Sequence, residues 1–268
     1  MSFRMRLTAS LMRRLPPGAA DHRAANFVYR RRLAASTKQA TTTLRTGPRL
    51  RLDLSEWPQA CAFLLGRYDD ASVEFIVRNL PPAGVFVDVG AHVGLITLQV
   101  ATRRPRARIH SFEPHPVRGA SLIANAEMNP DLSIEITRVG LSDRSGRLPY
   151  DETAHRTGVG DESIAVVTLD DYAQQRGVDH IDVVKLDIEG HEAAALRGAR
   201  RLLDERRIGA VIVESLPDHG DVGAVAEYLI QHGFRAVDLP DPRPSWIRAL
   251  RSSRPADTGY LLFASSAA

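Results

Sequence analysis

Short runs of β-branched and apolar residues recur along the chain, and between them apolar residues return at helical spacing. Residues 85–89, Val-Phe-Val-Asp-Val, read as a strand buried on both faces of a parallel sheet. Further strands are predicted over 108–112, 132–139, 180–186, 208–213, 234–239 and 260–264. Helices are predicted over 70–80 with Asp70 as cap, 115–128 with Val117, Leu122, Ile123 and Ala126 inward, from Thr168, from about 191 through 203, and over 222–232. Strands alternating with helices predict an α/β fold, a doubly wound and mostly parallel sheet. Residues 149–168 fit no clean period and are expected to form short antiparallel strands or an irregular loop, with Gly158 and Gly160 as flexible points.

The N-terminal segment reads differently. Residues 1–14 mix Phe3, Met5, Leu7, Leu11 and Met12 with four arginines, and residues 26–35 carry Arg30, Arg31 and Arg32 on a second short helix. Such a segment is a basic tail, a helix docked on the main domain, or an amphipathic helix making peripheral contact with a membrane. Pro16-Pro17-Gly18 breaks it. The division expected is a basic N-terminal arm over 1–51, helical or partly disordered, and a catalytic domain over 52–268.

Charge sharpens that division. The formal net charge is +3 with a pI near 9.3. Twelve basic residues and one acid, Asp21, precede Leu52, while 23 basic residues face 31 acids in the remainder. The high pI therefore belongs to the arm. The charge alone leaves nucleic-acid binding open, but no aromatic interleaving or known module supports it, and a nucleic-acid partner is not expected. One cysteine, Cys61, excludes an internal disulfide and points to a reduced, cytoplasmic compartment. No apolar run is long enough to span a membrane, and no secretory leader is visible.

Candidate chemistry gathers where strands end. Gly90, Ala91, His92 and Gly94 follow the 85–89 strand and precede a helix, a turn that lets a ligand approach the backbone. A dinucleotide fingerprint needs a further glycine between Gly90 and Gly94. Asp88 would repel a pyrophosphate and attract an ammonium, which favours S-adenosylmethionine, a cationic ligand without phosphate. Glu113 ends the second strand of the sheet, twenty-three residues past Gly90, where a carboxylate accepts ribose hydroxyls. Ser142 and Asp143 are candidates for the adenine edge, or plain turn residues.

The block Asp187-Ile188-Glu189-Gly190-His191-Glu192 concentrates three acids and an imidazole. His191 is the candidate general base, assisted by Glu189 or Glu192, with Asp187 closing the cofactor pocket. Glu192 alternatively serves the helix dipole. A divalent cation on Asp187 and Glu214, with Glu189 near, is the competing reading of this edge, and no metal ligand is assigned.

Taken together, Asp88-x-Gly90-Ala91-His92-x-Gly94, Phe112-Glu113-Pro114, Leu141-Ser142-Asp143 and Lys185-Leu186-Asp187-Ile188-Glu189-Gly190-His191-Glu192 resemble the FkbM-family methyltransferases, as does Ala194-Ala-Leu-Arg-Gly-Ala199. The similarity covers about residues 71–214. It implies a class I methyltransferase fold with a seven-stranded sheet and an antiparallel last strand. It also implies S-adenosylmethionine as donor, S-adenosylhomocysteine as product, and methylation usually on oxygen. Acceptors in that family are hydroxyls of glycans, polyketides and other specialised metabolites. By position, Asp88, Gly90, Ala91, His92 and Gly94 would line the methionine side, and Glu113 the ribose. The alternatives are a nucleic-acid-modifying methyltransferase that uses the basic arm, and a cofactor-binding module without catalysis.

Overall fold

The computed structural model describes residues 3–14, 19–34, 39–151, 156–157, 162–214, 222–237 and 260–265. The chain opens with helices α1 (Phe3–Met12) and α2 (Ala19–Arg32), a hairpin of β1 (Gln39–Thr43) and β2 (Arg49–Asp53), then α3 (Trp57–Leu65) and α4 (Asp70–Asn79). Alternating units follow as β3 (Val85–Val89), α5 (Leu95–Arg103), β4 (Arg108–Phe112), α6 (Pro116–Glu127) and β5 (Ile134–Thr137). Four short strands come next, β6 (Gly140–Leu141), β7 (Gly146–Asp151), β8 (Arg156–Thr157) and β9 (Glu162–Val167), and then α7 (Leu169–Arg176). The remainder is β10 (Ile181–Leu186), α8 (Glu192–Arg197), α9 (Arg200–Asp204), β11 (Ile208–Glu214), α10 (Val222–Gln231), β12 (Phe234–Val237) and β13 (Tyr260–Ser265).

Seven strands form one sheet in the order β12-β13-β11-β10-β3-β4-β5. From β11 to β5 the neighbours run parallel, and β13 lies antiparallel between β12 and β11. The chain winds outward from β3 to β5, returns to β10 on the other side of β3, and winds outward again to β11. That reversal opens a crevice at the C-terminal ends of β3 and β10, the place where doubly wound sheets take ligands. All five residues of β3 are buried, Asp88 among them, as its almost wholly apolar run predicts.

Several local expectations are refined. The cap of α4 is Asp69, whose carboxylate accepts the Ser72 N–H at 3.3 Å, rather than Asp70. His115 stands outside α6 and caps it, its Nδ1 accepting N–H bonds from Val117 and Arg118. Leu122 is buried, but Val117, expected inward, is 66% exposed, because Pro116 starts the helix and turns its first turn to solvent. The irregular stretch resolves into a four-stranded sheet, β6-β9-β7-β8. The single helix expected through residue 203 is two. Ser142 O lies 1.9 Å from where a Cβ on Gly198 would sit, and Asp170 accepts the N–H groups of Arg201 and Leu202, starting α9 afresh.

The arm docks. Met5, Ala9 and Met12 of α1, Leu50 and Leu52 of β2, the apolar face of α3, and Leu95 and Leu98 of α5 share one core. Arg13 fastens it, donating to Phe63 O at 2.8 Å and Thr43 O at 3.2 Å. A boundary between residues 51 and 52 therefore cuts β2 and a continuous core. The break at 16–18, the glycines at 158 and 160, and the stretch between the strands expected over 234–239 and 260–264 lie outside the described residues.

Candidate functional site

The glycine turn is forced by the meeting of two strand ends. Gly90 has φ +75°, and a Cβ there would lie 1.9 Å from the carbonyl oxygen of Asp187 at the end of β10. Gly94 has φ +89° and would meet Leu122 Cδ1 at 2.7 Å. His92 between them is also left-handed, at φ +55°. Phe112 O accepts the N–H groups of Gly90 and Ala91, both at 3.0 Å, which ties the turn to β4.

Glu113 holds the same turn from its side chain. One carboxylate oxygen accepts the His92 N–H at 2.8 Å, and the other accepts the His115 N–H at 3.0 Å. Burial pushes its carboxyl above the usual range, against the pull of these two bonds. Each oxygen keeps a second lone pair for a hydroxyl donor in the cleft it lines.

Register explains the floor of the cleft. Asp88 pairs with Lys185 across β3 and β10, so their side chains share a face. The Lys185 ammonium lies 3.2 Å from Asp88 Oδ1 and 3.2 Å from Asp187 Oδ2, and donates to Gly90 O at 3.4 Å. The Thr97 hydroxyl donates to Asp88 Oδ2 at 2.5 Å. Burial pulls the Lys185 pKa down, but Asp187 and Asp88 together outweigh it and hold the ammonium above its ordinary value. Tyr68, which lines the cleft beside them, has its phenol pushed up by burial and by Asp187 and Asp69.

The loop after β10 divides the acidic block. Glu189 at φ +56° and Gly190 at φ +95° reverse the chain. Glu192 Oε1 accepts the N–H groups of Ile188 at 3.0 Å and Gly190 at 3.2 Å, which fixes that shape. Holding Glu189 left-handed costs on the order of 1–2 kcal/mol, offset by these bonds. Asp187 and Glu189 thereby line the cleft. His191 falls on the far side of the turn and lines a neighbouring groove with Ser142 and Asp143.

In that groove His191 Nε2 and Ser142 Oγ are 3.0 Å apart, and Asp143 pairs with Arg197 at 3.3 Å. Burial lowers the His191 pKa, so the ring is neutral near pH 7. His191, the general base expected from the sequence, lines the groove beside the cleft and not the cleft itself. The turn at Glu189–Gly190 delivers the glutamate to the cleft and the imidazole to Ser142. The structure thus gathers Asp88, Gly90, Ala91, His92, Glu113, Asp187 and Glu189 in one cleft, and Ser142, Asp143 and His191 in the next groove. Gly94 serves as the cap of α5.

Lys185, Thr97 and Tyr68 were not assigned from the sequence. Lys185 carried a signal, as one of only two lysines in the chain and a fully buried position between apolar Val184 and Leu186 of the strand. Among the described residues no group of three or more His, Cys, Asp or Glu side chains could hold a metal ion. Asp187 gives one oxygen to Lys185, and the side chain of Glu214 lies outside the described ones. Among the described residues no helix is long and apolar enough to cross a membrane.

Charge defines what the cleft can hold. Glu56, Asp88, Glu113, Asp187 and Glu189 line it against Arg118 and Lys185, a surplus of carboxylates that repels phosphates and favours a cationic ligand.

Comparison with known proteins agrees with this chemistry. The methyltransferase FkbM domain matches residues 88–236. The 31-O-demethyl-FK506 methyltransferase FkbM of Streptomyces tacrolimicus is 29% identical over 203 residues, covering 61% of this chain and 77% of that protein. The hexuronic acid methyltransferase AglP of Haloferax volcanii is 30% identical over 149 residues, covering 53% of this chain and 60% of that protein. Among solved structures, magnesium protoporphyrin IX methyltransferase from Synechocystis PCC 6803 with bound SAM aligns at 14% identity over 74% of this chain and 78% of that one, with a TM-score of 0.42. The domain match spans more than half of the chain, which belongs to the FkbM family of S-adenosylmethionine-dependent methyltransferases.

Proposed function

We propose that the protein methylates a hydroxyl oxygen of a glycan, polyketide or other specialised metabolite. The observation that carries this reading is the carboxylate surplus at the β3–β10 crevice, beside a turn whose glycine admits no side chain. The cofactor's parts fit these residues. Glu113 has lone pairs for two ribose hydroxyls, and Asp187, with the turn from Asp88 to His92, would hold the positively charged methionine end. When bound, S-adenosylmethionine supplies an electrophilic methyl group on sulfur. The protein's own contribution is alignment of the acceptor and removal of its proton.

Glu189 is the base that the geometry favours, since it stands on the cleft side of the turn and in a strained backbone conformation. His191 acts through the loop, as a partner of Ser142. Oxygen as the acceptor atom is supported by the relative named for a 31-O position.

Calorimetry with S-adenosylmethionine and NAD, then S-adenosylhomocysteine release over a panel of hydroxyl acceptors, tests the reading. Glu189→Gln should lower kcat on the accepted substrate about 100-fold or more and leave cofactor affinity within about threefold. Binding of NAD in place of S-adenosylmethionine would refute the cofactor assignment. Near-normal turnover by Glu189→Gln, with a collapse in His191→Ala, would return the base to His191.

A further inference from the structure

The helices of the arm are amphipathic on two sides. In α1, Met5, Ala9 and Met12 face the core, while Leu7 and Leu11, one turn apart, are 50% and 56% exposed. In α2, Ala25 is buried and Phe27 is 63% exposed. The Arg31 guanidinium lies 5.3 Å from the Phe27 ring centroid, and exposed Arg23 and Arg30 sit one turn either side. Both helices pack on α3 and against each other, so these faces look away from the body of the protein. The cleft chemistry uses none of these side chains.

We infer that the α1–α2 layer docks on a membrane surface bearing anionic lipid headgroups. Its arginines suit lipid phosphates, and Leu7, Leu11 and Phe27 suit the boundary below them, where a large apolar side chain gains by leaving water. Exposed Arg6, Arg23, Arg30, Arg31 and Arg32 on the two helices supply the charge complementarity. A nucleic acid would use the arginines and gain nothing from two exposed leucines. The first turn of α3 contributes Pro58 to the cleft, so docking through helices seated on α3 sets the cleft near the headgroup layer.

Co-sedimentation of the full chain with phosphatidylcholine vesicles, and with vesicles mixing in phosphatidylglycerol, tests this. The protein should partition onto the anionic vesicles only. Binding should fall about fivefold for each of Arg23→Gln and Arg31→Gln. It should fall at least about tenfold in a Leu7→Ser, Leu11→Ser, Phe27→Ser variant. That variant should keep its melting temperature and cofactor affinity, since the three side chains are exposed. The inference is overturned if anionic vesicles do not bind, or if neutral vesicles bind equally. Equal vesicle binding by the serine variant overturns it, as does RNA binding that this variant retains. A dimer dissolved by the same three substitutions would assign the face to a second copy and overturn it too.

Discussion

Lys185→Met removes the ammonium that lies between Asp88 and Asp187 while keeping an unbranched stem of similar length in the β10 core. The two carboxylates differ in what happens next. The Asp187 side chain is 24% exposed and can recover water, whereas Asp88 is 1% exposed and keeps only the Thr97 hydroxyl. Stranding a buried carboxylate costs about 3–5 kcal/mol. Against a typical domain stability of about 5–15 kcal/mol, that is a large fraction. The double variant Asp88→Asn, Lys185→Met removes the stranded charge and should recover about 2 kcal/mol of the loss. Urea unfolding followed by circular dichroism reads both, with an unchanged slope showing that the change is one of stability. The sign with pH is also defined. Lys185 has a raised pKa, so its contribution is complete below the ordinary lysine value and is lost only as pH rises through the folded value. The gap between wild type and Lys185→Met should therefore stay constant from about pH 6 to pH 9. A loss below about 1 kcal/mol in the single variant, or a double variant no better than the single, would refute the buried-row account.

Glu113→Gln keeps one acceptor oxygen but places an amide N–H₂ against the other of the two backbone N–H groups that now meet carboxylate oxygens; calorimetry should show cofactor affinity falling about tenfold or more, and an unchanged affinity would remove Glu113 from the ribose site. Gly90→Ala drives a methyl group into the Asp187 carbonyl, so cofactor binding should weaken about 100-fold or more together with a lower melting temperature; a normal dissociation constant would show that the strand ends part freely. His110 is buried against Tyr172 at 2.9 Å and Glu135 at 3.2 Å, and burial pushes its pKa below the ordinary value. Its contribution to stability is thus full above about pH 6.5 and lost as pH falls below it, so His110→Asn should flatten the fall in urea midpoint between about pH 7 and pH 5. His191, shifted the same way, keeps part of that slope; a slope unaltered in His110→Asn would show that its proton uptake is not linked to unfolding.

The sheet was legible because its signals are local. An unbroken run such as Val85–Val89 is buried on both faces or it is nothing, and the acids that close the strands mark one edge of the sheet. The glycine turn was legible for the same reason. What escaped depends on neighbours far away in the chain. The helix through residue 203 divides because Ser142 O and Asp170 approach it from other elements, and no pattern within residues 191–203 announces either. His191 was placed in the cleft by its position in the block, yet the left-handed Glu189 and Gly190 send it to Ser142, 49 residues away. The arm was readable as amphipathic, but that α3 and α5 cover its inner face needed the tertiary structure.

Asp88 shows how register changes the chemistry that a motif implies. Read along the chain, it is an acid two residues before a ligand-binding glycine, free to attract a ligand's ammonium. Read across the sheet, it faces Lys185, so that the protein's own ammonium already lies against it, and Asp187 lies against the other side of that ammonium. The row Asp88–Lys185–Asp187 carries one net negative charge, and of its two carboxylates only that of Asp187 is appreciably exposed. On the proposed reading, attraction for a cationic methyl donor therefore passes to Asp187, while Asp88 and Lys185 keep the ends of β3 and β10 together beneath it. On this account a charge-removing change at Asp187 weakens the cofactor through electrostatics, and one at Asp88 weakens it through the geometry of the turn. Ionic strength separates the two, because the partly exposed charge is screened and the buried pair is not.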